Sequence, residues 1–176
     1  MRSLLLSLAL VVSVGLCAGA GRSAPMHVLK PGGVVVHGYP YASRCPEAGE
    51  EAVVDRWGMY ACNCTSFVAW ALHANGQRTD WFIPGSMDAW NWPNVARRRG
   101  LRVAAKPRVG AVAAWPKLAR PFGHVAYVTR LLDDGTFDVA EYNQPGDRSH
   151  RFRFDLRTHV ARAGASFIEV PERLDG

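Results

Sequence analysis

Hydrophobic and polar positions change character along the chain, and each change marks an element. Residues 4–16 form a largely apolar run. From Cys64 the apolar positions Cys64, Phe67, Val68, Ala71 and Leu72 recur at the spacing of one buried helix face. Asn63 is an N-cap type, and Asn75-Gly76 supplies the stop expected just past a helix end. A second helix is expected from a Ser86 cap, with Met87, Trp90 and Val95 inward and Pro93 interrupting or kinking it. Beyond Val103 the period becomes that of strands. Residues 109–115 are a short apolar strand ended by Pro116, and the strand-like runs 124–132 and 136–143 flank Asp134-Gly135, a strong hairpin signal. A last strand is expected at 152–156 or at 166–170. A helix followed by antiparallel strands is an α+β order.

The hairpin carries candidate chemistry. His124, Ala126 and Val128 share one strand face, and Val139, Glu141 and Asn143 share another. A two-residue Asp134-Gly135 turn sets Val128 opposite Glu141 and Ala126 opposite Asn143, so His124, Glu141 and Asn143 point to the same side. The parity is the firm expectation, because a four-residue turn keeps it while changing the register. Cys64 stands in the first turn of its helix, where the positive end of the dipole favours thiolate. Taken singly, Cys64 also fits a buried core cysteine or half of a disulfide, His124 a satisfied core histidine, and Glu141 an exposed strand carboxylate. A thiol at a helix tip, with a histidine, an acid and an amide on one strand face, is a far less ordinary combination.

Length and charge bound the rest. The 176 residues are one domain's worth, with enough chain for a real core. A formal charge of +6 draws the protein toward polyanions, but apart from Arg97-Arg98-Arg99 and Arg102 the basic residues are scattered, and that run reads as a solvated helix face. Nucleic-acid binding has nothing but this charge in its favour. The six histidines show no i, i+4 pairing and no Cys/His cluster suited to zinc, so no metal or cofactor is expected. Arg2, the apolar run and Ala18-Gly19-Ala20 describe a signal peptide over 1–20, too short for a membrane span, which implies a secreted or periplasmic monomer without stable membrane association. Leu16 before Cys17 is larger than lipoprotein processing accepts. Residues 21–45, rich in Pro and Gly around Val34-Val35-Val36, read as an irregular leader with one short strand, and 46–176 as the main domain. The mature chain keeps Cys45, Cys62 and Cys64, an odd number. Cys62 and Cys64 are badly spaced for each other, so the expected bridge is Cys45–Cys62 and the free thiol is Cys64.

Four stretches then resemble a known family: Asn63-Cys64-Thr65-Ser66-Phe67-Val68, residues 107–115, Gly123-His124-Val125-Ala126-Tyr127-Val128, and Glu141-Tyr142-Asn143. They are similar, in order and spacing from about 57 to 145, to the CHAP family of cysteine, histidine-dependent amidohydrolases and peptidases. The resemblance implies a papain-like α+β fold, an N-terminal helix bearing the cysteine packed on an antiparallel sheet. It implies cleavage of amide bonds in peptidoglycan, by an endopeptidase or an N-acetylmuramoyl-L-alanine amidase. It assigns Cys64 as nucleophile, His124 as base, Glu141 as the residue orienting it and Asn143 as a fourth polar member. Residue chemistry alone leaves open whether Glu141 or Asn143 orients the imidazole, and offers Asn63 as an oxyanion donor beside the backbone N–H groups of the helix start. A separate wall-binding domain and an acidic calcium loop, present in some members, are not expected here. The competing expectation is a secreted binding protein that keeps the scaffold without the chemistry.

Overall fold

The structure, a computed structural model, describes residues 33–45, 53–83, 87–146 and 148–174. The expected signal peptide, the first part of the leader with His27, and the expected Ser86 cap lie outside the described residues. Two helices, α1 (Cys64–Ala74) and α2 (Trp92–Arg98), precede six strands: β1 (Arg102–Ala104), β2 (Val112–Trp115), β3 (His124–Leu131), β4 (Phe137–Tyr142), β5 (Phe154–Val160) and β6 (Ser166–Glu169). The strands form one antiparallel sheet in the order β1-β6-β2-β3-β4-β5. Both expected last strands exist, one at the edge and one inside. The fold is α+β, with the helix that bears the cysteine packed on the sheet.

The apolar spacing of α1 works as read. Phe67, Val68, Ala71 and Leu72 are fully buried, together with Ser66 and Ala69. Each large apolar side chain contributes about 1.5–3 kcal/mol on burial. They share a core with Trp92, Val112, Val125, Tyr127, Ala140 and Ile168. Alternate strand positions, among them Ala113, Trp115, Ala126, Val128, Phe137, Val139 and Phe167, build a second, smaller cluster on the sheet's other face. Asn75 does more than end α1. Its Nδ2 donates to the Val35 carbonyl at 2.8 Å and its Oδ1 accepts the Val35 N–H at 2.7 Å. Val35 therefore satisfies its backbone against one side chain, and residues 34–36 form no strand, a correction to the expected short strand there.

The second helix differs from its expectation. A 3₁₀ turn, Ala89–Asn91, leads into α2, and Pro93 lies in the first turn, where a missing N–H leaves no helix bond unmade. Pro93 starts the helix instead of kinking it. The tighter turn shifts the phase, so Trp92 is buried and donates its Nε1–H to the Met87 carbonyl at 3.0 Å, while Trp90 is exposed.

The hairpin register also differs. Leu132 N–H donates to the Thr136 carbonyl and Gly135 N–H to the Leu132 carbonyl, giving a three-residue turn with Gly135 at φ 80°. An irregularity between Val128 and Arg130 adds a second one-residue step. Val128 consequently faces Val139, not Glu141, and Tyr127 faces Ala140. Two steps preserve parity, so His124 and Glu141 remain on one face.

Candidate active site

Cys64 is the first residue of α1, a free and partly exposed thiol. Its approach is braced by the leader. Tyr39 Oη accepts the Cys62 N–H at 3.0 Å and lies 2.6 Å from Ser66 Oγ within α1. Cys62, at φ 63°, is bonded to Cys45 in a disulfide. The turn that delivers the sulfur is thus held from both sides by a segment to which the sequence assigns no role in the site.

His124 is the first residue of β3 and only 1% exposed. Gly123 before it sits at φ 76°, and a Cβ there would lie 2.3 Å from the Trp90 backbone nitrogen. That closeness is used: the Trp90 N–H donates to the Phe122 carbonyl at 2.9 Å. Glycine at 123 lets the chain press backbone to backbone before it enters β3, and this fixes where the imidazole begins. Trp115, paired with His124 across β2 and β3, stacks on the ring at 6.1 Å between centroids.

Behind the imidazole lies Glu141 of β4, fully buried, its Oε2 at 2.5 Å from His124 Nε2. A buried carboxylate needs partners, and Arg157 of β5 supplies them, with Nε 2.8 Å from Oε1 and Nη2 donating to Oε2 at 3.2 Å. The Arg157 guanidinium in turn lies over the Trp115 ring at 5.5 Å. With Nε2 held by Glu141, Nδ1 is the ring nitrogen left free of the carboxylate, and His124 and Cys64 line the same cleft. Burial alone would lower the His124 pKa. The charge and hydrogen bond of the sulfur, then the hydrogen bond and charge of Glu141, outweigh it and hold the pKa at about 9, above the ordinary 6.5.

The two asparagines take positions other than those expected. Asn63 has the extended backbone of an N-cap but makes no side-chain cap bond. Its Oδ1 instead accepts from Asn143 Nδ2 at 2.7 Å, and its own Nδ2 reaches the Ala61 carbonyl at 3.5 Å. Asn143, at φ 57° just past β4, uses Oδ1 to accept the Phe152 N–H at 3.3 Å. Asn143 therefore ties the start of α1 to the β4–β5 connection, and Glu141, not Asn143, holds the imidazole. Arg157 escaped the sequence reading because the expected strand stopped at 156, one residue short. Its alternation within β5 was the available signal.

A cleft of about 440 Å³ opens over these groups, lined by Asn63, Cys64, His124 and Asn143, by Ala119, Phe122 and Gly123 on one lip, and by 144–146, Arg148 and Arg151 on the other. The arrangement can generate a thiolate beside an imidazolium, with the backbone N–H groups of a helix start aimed at whatever the sulfur attacks.

A model of the CHAP domain matches residues 54–143. The chain is 35% identical over 98 residues to the N-acetylmuramoyl-L-alanine amidase sle1 of Staphylococcus haemolyticus, a match covering 54% of this chain and 27% of that protein. It is 30% identical over 96 residues to the probable autolysin LDP of Staphylococcus aureus, covering 54% of this chain and 33% of that protein. A crystal structure of an N-acetylmuramoyl-L-alanine amidase from Staphylococcus aureus shares the fold, with a TM-score of 0.53 and 24% identity over 68% of this chain and 33% of that one. The chain thus spans about a third of the length of these relatives or less.

Proposed function

The chain belongs to the CHAP domain family, and we propose that it is a cysteine hydrolase that cleaves amide bonds in peptidoglycan, as an endopeptidase or an N-acetylmuramoyl-L-alanine amidase. The observation that carries this reading is a partly exposed thiol at a helix start sharing one cleft with a buried histidine whose Nε2 is held by a buried glutamate. His124 takes the Cys64 proton through Nδ1, and the thiolate attacks the amide carbonyl. Glu141 keeps Nε2 protonated and the ring in position, and Arg157 neutralises the carboxylate's outer side. The N–H groups of the first turn of α1, that of Cys64 among them, stabilise the oxyanion. Imidazolium then protonates the leaving amine, and water releases the acyl group from the sulfur. Asn63 and Asn143 serve as positioning residues between α1 and the β4–β5 connection.

The catalytic domain is 46–176, preceded by the leader 21–45 and the signal peptide 1–20, and the protein works in the periplasm or outside the cell. The Cys45–Cys62 disulfide suits such an oxidising compartment. The test is hydrolysis of purified peptidoglycan, read by mass analysis of released fragments. Cys64→Ala should lose on the order of 10⁴-fold or more in rate while keeping the folded circular-dichroism spectrum of the wild type. A variant as active as the wild type would overturn the reading.

A further inference from the structure

The turn that presents the nucleophile is gripped twice by residues outside the family match. Tyr39 and Cys45 precede the matched residues 54–143. Both nevertheless hold Cys62, two positions ahead of Cys64: Tyr39 Oη accepts the Cys62 N–H at 3.0 Å, and Cys45 is bonded to the Cys62 sulfur. We propose that Tyr39, acting together with the Cys45–Cys62 disulfide, is a positioning residue that sets where the Cys64 sulfur lies in the cleft. The inference rests on the hydrolase reading above and extends its machinery into the leader.

A tyrosine that merely fills the core is the ordinary alternative. The ring does pack, against Tyr41, Phe67, Trp70 and Tyr142, with centroids 4.9 to 5.7 Å apart. Packing accounts for the ring and leaves the hydroxyl unexplained. That hydroxyl has a buried partner on each side of the nucleophile in the chain: the Cys62 N–H before it, and Ser66 Oγ, 2.6 Å away in the first turn of α1, after it. Burial pushes the phenol up to about 12, so it keeps its proton across the working range. Cys62 adopts φ 63°, a left-handed conformation that a residue other than glycine keeps only where its surroundings fix it. The hydrogen bond from Tyr39 and the bond to Cys45 are what fix it. The gripping segment is itself closed, since the Ala42 N–H donates to the Tyr39 carbonyl at 3.1 Å, the Arg44 N–H to the Tyr41 carbonyl at 2.8 Å, and the 3₁₀ turn Ala42–Arg44 ends at Cys45. Releasing either grip lets residue 62 relax toward an ordinary φ, and that rotation passes through Asn63 to the sulfur. A small displacement of a nucleophile costs rate steeply.

The test is Tyr39→Phe, which keeps the ring and removes the oxygen. Two readouts are taken well below the melting transition: kcat and KM on soluble peptidoglycan fragments, and the rate of iodoacetamide alkylation at Cys64 against pH, followed by mass analysis of the peptide that bears it. The value of kcat and the alkylation rate at neutral pH should each fall about tenfold, the upper end for one hydrogen bond, while KM stays within about twofold. The pH at which alkylation is half-maximal should rise. A core-filling tyrosine would lower Tm and leave both rates and that midpoint at their wild-type values, and this result overturns the proposal. Cys45→Ala/Cys62→Ala, checked for a folded circular-dichroism spectrum, should show the same losses. Adding Tyr39→Phe to it should cost little more, because both grips act through one turn; a full further tenfold loss overturns the joint action. If the disulfide variant does not fold, Tyr39→Phe alone decides. Slower alkylation in Tyr39→Phe, in a protein inert toward peptidoglycan, would sustain the positioning role and sink the hydrolase.

Discussion

Replacing Cys64 by alanine should retune His124, with which it shares the cleft. Burial works to lower the histidine's pKa, the sulfur contributes most to raising it, and Glu141 comes next. The rise from 6.5 to about 9 corresponds to roughly 3 kcal/mol in favour of imidazolium, at about 1.36 kcal/mol per pKa unit. Removing the sulfur keeps the burial penalty and deletes the largest opposing contribution, so the proton affinity of His124 falls on the order of tenfold or more. The measurement is the ring Cε1–H shift followed by NMR from acid to alkaline pH. Of the six histidines, this one alone should change its midpoint between wild type and variant. The sign for stability follows from the same shift. A folded-state value above the unfolded one gives a contribution that is complete below about 6.5 and disappears as pH rises through about 9. The wild-type Tm should therefore decline across that window more than the variant's, and hydrolysis should fail as imidazolium is lost near 9. A wild-type midpoint near 6.5, or the same midpoint in Cys64→Ala, would refute the coupling.

Two further outcomes follow from the geometry. Glu141→Gln removes the charge that faces both His124 and Arg157; it should lower kcat by on the order of 10²–10⁴ and stability by about 3 kcal/mol, read by fragment release and thermal melts, and a near-normal rate would remove Glu141 from its orienting role. Gly123→Ala forces a Cβ to within 2.3 Å of the Trp90 nitrogen at a left-handed φ; it should cost about 2–4 kcal/mol, lower Tm by on the order of 10 °C and displace His124 enough to abolish hydrolysis, whereas a fully active, equally stable variant would show that the 123 backbone does not set the histidine's place.

The helix that begins at Cys64 was legible because its period is local: Phe67, Val68, Ala71 and Leu72 need nothing beyond 3.6-residue spacing to declare a buried face. The His124–Glu141 pair was legible for a subtler reason. The expected register was off by two, one step from the Asp133–Gly135 turn and one from the irregularity near Thr129, and a shift of two leaves side chains on the same face. What was not legible is what the chain joins across long separations. Asn143 meets Asn63 over 80 positions and Tyr39 reaches Cys62 over 23, and neither contact leaves a periodic trace. Trp90 faces outward, against its expected inward place, because a 3₁₀ turn advances 3 residues per turn, which no hydrophobic spacing in so short a segment reveals.

β5 is the margin of the sheet, and it is from β5 that Arg157 reaches Glu141. A strand bonded along one side opens at a smaller free energy than its neighbours in the middle. Each such opening withdraws the guanidinium and strands the carboxylate with the imidazole alone, although the helix carrying the sulfur remains seated in the main core. The chemistry is fastened to an outer border of the architecture. On warming, a molecule built this way falls silent before it comes apart.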